Sequence, residues 1–155
     1  MHAKFFTAFI FALVSQVALA QDSHFEFAGF TIATTLSEAK SRYQGSYEAN
    51  SYIYVSEDDS QNHIYGISIS STRTLLHFEK RLEHGGVSYP LCRTQFDEIF
   101  TFYGGPDVVQ KFNEEASPVH RRIWKKDNER LALRCFEMDG SRFAEHVELF
   151  TAERD

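Results

Sequence analysis

The residues able to do chemistry in this 155-residue chain are few and scattered. Two cysteines, Cys92 and Cys135, stand 43 positions apart, without the C-x-x-C spacing of structural zinc sites. A disulfide, two free thiols and two metal ligands are the readings open to them. Histidines fall at positions 24, 63, 77, 84, 120 and 146 beyond the N-terminal stretch. Only the run His77 to His84 gathers His with Glu, and it lacks the H-E-x-x-H pattern. On a strand, His77 and Glu79 would share a face, which reads as a solvated edge strand whose charges discourage pairing with another chain. Glu57-Asp58-Asp59 and Glu114-Glu115 sit in expected turns without the D-x-D-x-D-G rhythm of a calcium loop. There is no G-x-S-x-G elbow and no Gly-rich phosphate loop. These residues give no catalytic set, no metal site and no cofactor, so the expectation is a protein that is not an enzyme.

The sharper candidates are aromatic and basic. His120, Arg121, Arg122, Lys125 and Lys126 surround Ile123 and Trp124. On a strand, Arg122 and Trp124 share one face with His120 beside them. Trp, Tyr and Arg dominate the energetics of protein interfaces, so Arg122, Trp124 and Lys126 are candidate partner contacts. Tyr52 and Tyr54, on the polar face of their own strand, are a second candidate. The competing reading of Trp124 is a core residue packed against a helix, with the basic residues a solvated face.

The elements that must position these residues follow from periodicity. Phe25 to Ile32 has strand composition. Thr35 and Glu38 form a capping-box pattern, and Leu36, Ala39 and Tyr43 line one helical face before Gly45. From Ser46 the period becomes two. Tyr47 to Val55 reads as one strand, His63 to Ser70 as a second with Tyr65, Ile67 and Ile69 on one face, and Thr72 to Arg81 as a third. A helix is expected from about Pro90 to Tyr103, its apolar stripe made of Cys92, Phe96, Ile99, Phe100 and Tyr103 opposite Arg93, Gln95 and Asp97. Strands follow over about 108–113, 119–125, 131–136 and 143–151, with turns at Asp127-Asn128 and Asp139-Gly140. Leu131, Leu133 and Cys135 share a strand face and Cys92 lies on the helix stripe, so a helix resting on the sheet brings both sulfurs into one core.

The N-terminus reads as an export signal. Lys4, the apolar run Phe5 to Val14 and the small-residue ending Val17-Ala18-Leu19-Ala20 are its three parts, with cleavage expected before Gln21. The run is too short to span a bilayer, which needs about 20 residues. Removal of residues 1–20 leaves one expected domain, 21–155, in which 15 basic residues face 22 acidic ones. That balance argues against a nucleic-acid binder and favours a cationic partner. An exported chain also meets an oxidising compartment, which favours a Cys92–Cys135 disulfide among the three readings.

The expected class is α+β, with helices packed on an antiparallel sheet. Residues 38–45 can be laid over 98–105 at a shift of 60, which suggests tandem helix-plus-sheet repeats over about 27–82 and 88–150. Gly29 before the first capped helix, Tyr43-Gln44-Gly45, Tyr103-Gly104-Gly105-Pro106 and Trp124 ahead of Leu131 to Cys135 give the chain an order that resembles the β-lactamase-inhibitor-protein-like fold. Small outer-membrane assembly lipoproteins of the OmlA type look like single copies of such a unit. The resemblance implies a non-catalytic periplasmic or secreted protein, an inhibitor or immunity protein, that binds another protein through its sheet face and loops. The alternative is a small periplasmic enzyme or small-ligand carrier with a site near His77 and His84, or near His120.

Overall fold

The computed structural model describes residues 24–43, 47–49, 52–55, 64–82, 84–114 and 117–152. The expected signal at 1–20, the turn at 57–62 and His63 lie outside the described residues. Helix α1 is Leu36–Arg42, followed by strands β1 (Tyr47–Ala49), β2 (Tyr52–Tyr54), β3 (Ile64–Ile69) and β4 (Arg73–Phe78). A small pair, β5 (Lys80–Arg81) and β6 (Val87–Ser88), leads to helix α2 (Cys92–Tyr103). Strands β7 (Val108–Glu114), β8 (Ser117–Lys126), β9 (Glu129–Met138) and β10 (Ser141–Thr151) complete the order. Eight strands form one sheet in the order β1-β2-β3-β4-β10-β9-β8-β7, every neighbouring pair antiparallel. The fold is α+β and dominated by its sheet. Each helix precedes a four-strand meander, and the last strands of the two meanders, β4 and β10, pair at the centre.

Local chemistry explains the helices. Thr35 Oγ1 accepts from Glu38 N–H at 3.2 Å, and the Glu38 carboxylate accepts from Thr35 N–H at 2.7 Å, the reciprocal capping box. Helix α2 ends at Gly104, whose φ of 73° few other residues tolerate and whose N–H closes on Phe100 O at 2.8 Å. Its inner stripe differs from the expected one. Gln95 is buried and Phe100 is 50% exposed, because Cys92, Phe96, Ile99 and Tyr103 follow the helical repeat closely while Phe100 lies farther round the helix.

Both helices cover the same face of the sheet. Ile53, Ile67, Leu76, Val147 and Leu133 run across it from β2 to β9, and Phe30, Phe78, Ile99 and Trp124 fill the space between. One core therefore serves both halves. The Cys92 and Cys135 sulfurs lie 2.08 Å apart, so the disulfide ties α2 to β9. Trp124 packs its ring 6.1 Å from Phe96 and donates from Nε1 to Gly104 O at 2.9 Å, which fixes the end of α2 to β8.

Three expectations fail on backbone detail. Phe25 to Ile32 is no strand: Ala28 and Gly29 both have positive φ, and Phe27 and Phe30 exchange hydrogen bonds across the tight turn this makes. Phe25, Phe27 and Phe30 are consequently all buried. The stretch Tyr47 to Val55 is two strands and not one, β1 paired antiparallel with β2. The run Thr72 to Arg81 splits into β4 and β5, and β4 is a central strand between β3 and β10, not an edge.

Candidate functional site

Among the described residues no helix covers the other face of the sheet, its open face, where long polar and aromatic side chains stand beside Leu75, Ile123 and Ala132. Strand alternation places Tyr52 and Tyr54 there from β2 and His77 from β4, while their neighbours Ile53 and Leu76 point into the core. Two β-bulges then re-aim one side chain each. In β3 the register slips between Ile64 and Gly66, which puts Tyr65 at the bulge and turns it to the open side, away from Ile67 and Ile69. In β10 it slips between Ala144 and His146, and the extra residue is Glu145. These residues, with Glu79 and Tyr89 from the segments flanking β5 and β6, line a cleft of about 350 Å³.

The cleft wall is aromatic. The Tyr52 and Tyr54 rings stack 6.1 Å apart at 29°, Tyr65 meets Tyr54 edge-on at 5.5 Å, and His77 lies 5.9 Å from Tyr52. A Cβ at Gly66 would stand at ordinary contact distance from the Tyr52 ring and His77 Cβ, 3.7 and 3.8 Å. Among the described residues the charged members of the lining are the carboxylates of Glu79 and Glu145. Glu145 accepts from Arg134 Nε at 2.5 Å, with the guanidinium outside the lining. The negative field reaches its neighbours. Burial raises the Tyr89 phenol above its usual range and Glu79 and Glu145 push it further. Burial lowers the His77 imidazole and Arg73 adds to that, while Glu145 and Glu79 hold it up.

Beneath the cleft, His146 packs edge-on to His77 at 5.4 Å, and its Nδ1 is buried without a hydrogen-bond partner. Burial, then the charges of His77, Arg134, Arg121 and Arg73, push its imidazole down to about 3, so it is neutral across the physiological range. Along the rest of the open face one carboxylate is shared by two arginines. Glu148 bridges Arg73 at 3.5 Å and Arg121 at 3.0 Å, and the Arg121 guanidinium covers the Phe150 ring at 5.4 Å. Among the described residues no three His, Cys, Asp or Glu side chains converge as a metal site, and no helix is long and apolar enough to cross a membrane.

The candidates drawn from the sequence separate onto two faces. Tyr52 and Tyr54 lie together on the open face. Trp124 is 2% exposed beneath α2, on the opposite face. Arg122 shares its side, with its guanidinium 5.0 Å over the Phe96 ring and 3.3 Å from the disulfide sulfur of Cys92. It lines a cleft of about 530 Å³ with Arg93, Arg142 and Asp97. Lys126 lines a third cleft, about 470 Å³, with His24, Glu26 and Glu98. Sequence reasoning named His77 only for an alternative site with His84, and passed over Tyr65, Tyr89 and Glu145. Gly66 between Tyr65 and Ile67 was the available signal, because a glycine within a strand marks a bulge or a close approach. No protein-family model matches this chain, and comparison with curated proteins and with solved structures finds no match either.

Proposed function

We propose that this is an exported, non-enzymatic binding protein that docks another protein, one with a cationic surface, on the open face of its sheet. The observation that carries the reading is the contrast between the two faces. One is filled by helices. The other presents a wall of tyrosines and a carboxylate-lined cleft, residue types that anchor interfaces at small entropic cost. The acidic balance of the chain, 22 acidic against 16 basic residues, supports a cationic partner through faster encounter at low salt. The apolar N-terminal run and the cross-linked cysteines support export to an oxidising compartment. Action there as an inhibitor or an immunity protein fits these features. The helix-plus-meander order in each half supports the tandem-repeat reading and the likeness to the β-lactamase-inhibitor-protein-like fold.

The test is site-specific photo-crosslinking in an envelope extract of the source organism. A crosslinker at Arg73, on the open face, should trap one specific protein. The same group at Phe102, 74% exposed on α2, should trap none. Capture from Phe102 alone, or from neither site, overturns the reading.

A further inference from the structure

The cleft beside the disulfide, on the helix side of the sheet, gathers positive charge on a chain that is acidic overall, 22 acidic residues against 16 basic. Arg93, Arg122 and Arg142 all line it, and every lining residue and its chain neighbours are described. Two of the three guanidiniums already have carboxylates. Arg93 Nε lies 3.3 Å from Asp97, and Arg142 Nε lies 3.5 Å from Glu137. Arg122 meets none among the described residues. Its guanidinium stands 5.0 Å over the Phe96 ring and donates to Cys92 Sγ at 3.3 Å, a weak acceptor. The local field is positive as a result. Burial, then the charge of Arg142, lower the Arg122 guanidinium. Burial, then Arg142, Lys111 and Arg122, push the neighbouring His120 imidazole down, against the opposing pull of Glu137.

Three guanidiniums thus face two carboxylates, an excess of one positive charge. A planar guanidinium matches a carboxylate in shape, with paired N–H donors for its two oxygens. A dianion would meet Asp97 and Glu137 as like charges, so a monoanion suits the cleft better. The rest of the wall is apolar, with Leu91 53% exposed and Phe96 beside it. The volume of about 530 Å³ falls in the range of small-molecule sites. We propose that this cleft binds an organic carboxylate, received by Arg122 with Arg142 beside it, while the apolar body of the ligand lies along Phe96 and Leu91. The inference does not depend on the docking reading, which uses the opposite face of the sheet. Phe96 and the disulfide sulfur hold the Arg122 guanidinium in place beforehand, which reduces the freedom lost on binding.

The experiment titrates the purified protein, its disulfide intact, with benzoate, following the Arg122 Nε–H and Phe96 ring signals by NMR. Benzoate should saturate at about 1–10 mM. Its neutral isostere benzamide should bind about tenfold more weakly, and inorganic phosphate should also bind more weakly. Arg122→Gln should cost benzoate about tenfold and Arg142→Gln about threefold, while Arg93→Gln, exposed and paired with Asp97, should cost less than about twofold. Equal binding of benzamide, tighter binding of phosphate, or shifts confined to residues outside the cleft each overturn the proposal. So does benzoate binding left unchanged by Arg122→Gln. Should that variant fail to fold, unchanged binding in Arg142→Gln, a change on an exposed side chain, overturns it instead. A short peptide ending in phenylalanine, run as free acid and as amide, separates the sources of carboxylate. Tighter binding of the free acid than of benzoate assigns the cleft to a chain terminus, weaker binding assigns it to a small ligand, and equal binding of acid and amide counts against the carboxylate.

Discussion

The two halves of this molecule share an order of elements and differ in how they are built. In the C-terminal half α2 has 12 residues, the strands run from 7 to 11, and a disulfide joins helix to sheet. In the N-terminal half α1 has 7 residues, the strands run from 3 to 6, and no described cysteine cross-links them. Yet most of the cleft residues, Tyr52, Tyr54, Tyr65 and His77, come from that shorter half. Long regular strands are good at holding a sheet together. Short strands, bulges and turns are better at aiming side chains. The comparison therefore teaches a division of labour: the second half supplies rigidity and the first half presents the surface.

The largest effects should follow from breaking the C-terminal half. Trp124→Ala removes a fully buried ring and the tie to Gly104, and should cost about 3–5 kcal/mol in urea denaturation. Cys92→Ala with Cys135→Ala opens a 43-residue separation and should cost about 2–4 kcal/mol. If the shared core couples the halves, hydrogen exchange in this variant should rise in β3 and β4 as well as in β9. Faster exchange confined to α2 and β9 would split the molecule into independent units. In the N-terminal half, Thr35→Ala removes one cap and should cost only about 1 kcal/mol, read as a shift of a few degrees in Tm.

A pH-dependent effect should come from His146. Its folded-state value is depressed to about 3 against an ordinary 6.5. Folding thus favours the neutral imidazole, and the unfolded chain binds the extra proton between those values. The contribution is complete above about pH 6.5 and is lost as pH falls toward 3, with a slope of at most about 1.4 kcal/mol per pH unit. Glu145 and Glu148 face the same region, paired with Arg134 and with Arg73 and Arg121. The check is therefore the difference between the native protein and His146→Gln across pH 4–7. Parallel curves for the two would remove the assignment.

What was legible in the sequence was mainly local. The Thr35–Glu38 box, the Gly104 stop and the Asp139-Gly140 hairpin depend on a few adjacent residues, and the structure has each of them. The disulfide was also readable, because strand and helix periodicity put both cysteines on inward faces. Sheet order was not. Nothing local says that β4 pairs with β10 at the centre, so the His77 strand read as an edge. Nor does alternation announce its own interruption: the bulge that turns Tyr65 outward costs one residue of register and leaves the pattern of apolar residues looking intact. The site was half readable for that reason. Tyr52 and Tyr54 stood out as a pair, but separating them from Trp124 and Arg122 required knowing which face the helices cover.

The division of labour is tested most directly by one double variant, Tyr52→Ala with Tyr54→Ala, measured for melting temperature and for crosslinking from Arg73 in the same preparation. Both rings are half-buried on the open face, so stability should fall by about 1–2 kcal/mol while specific crosslinking is lost. A variant that crosslinks as the native protein does, or one that fails to fold, would contradict the assignment of recognition to this face.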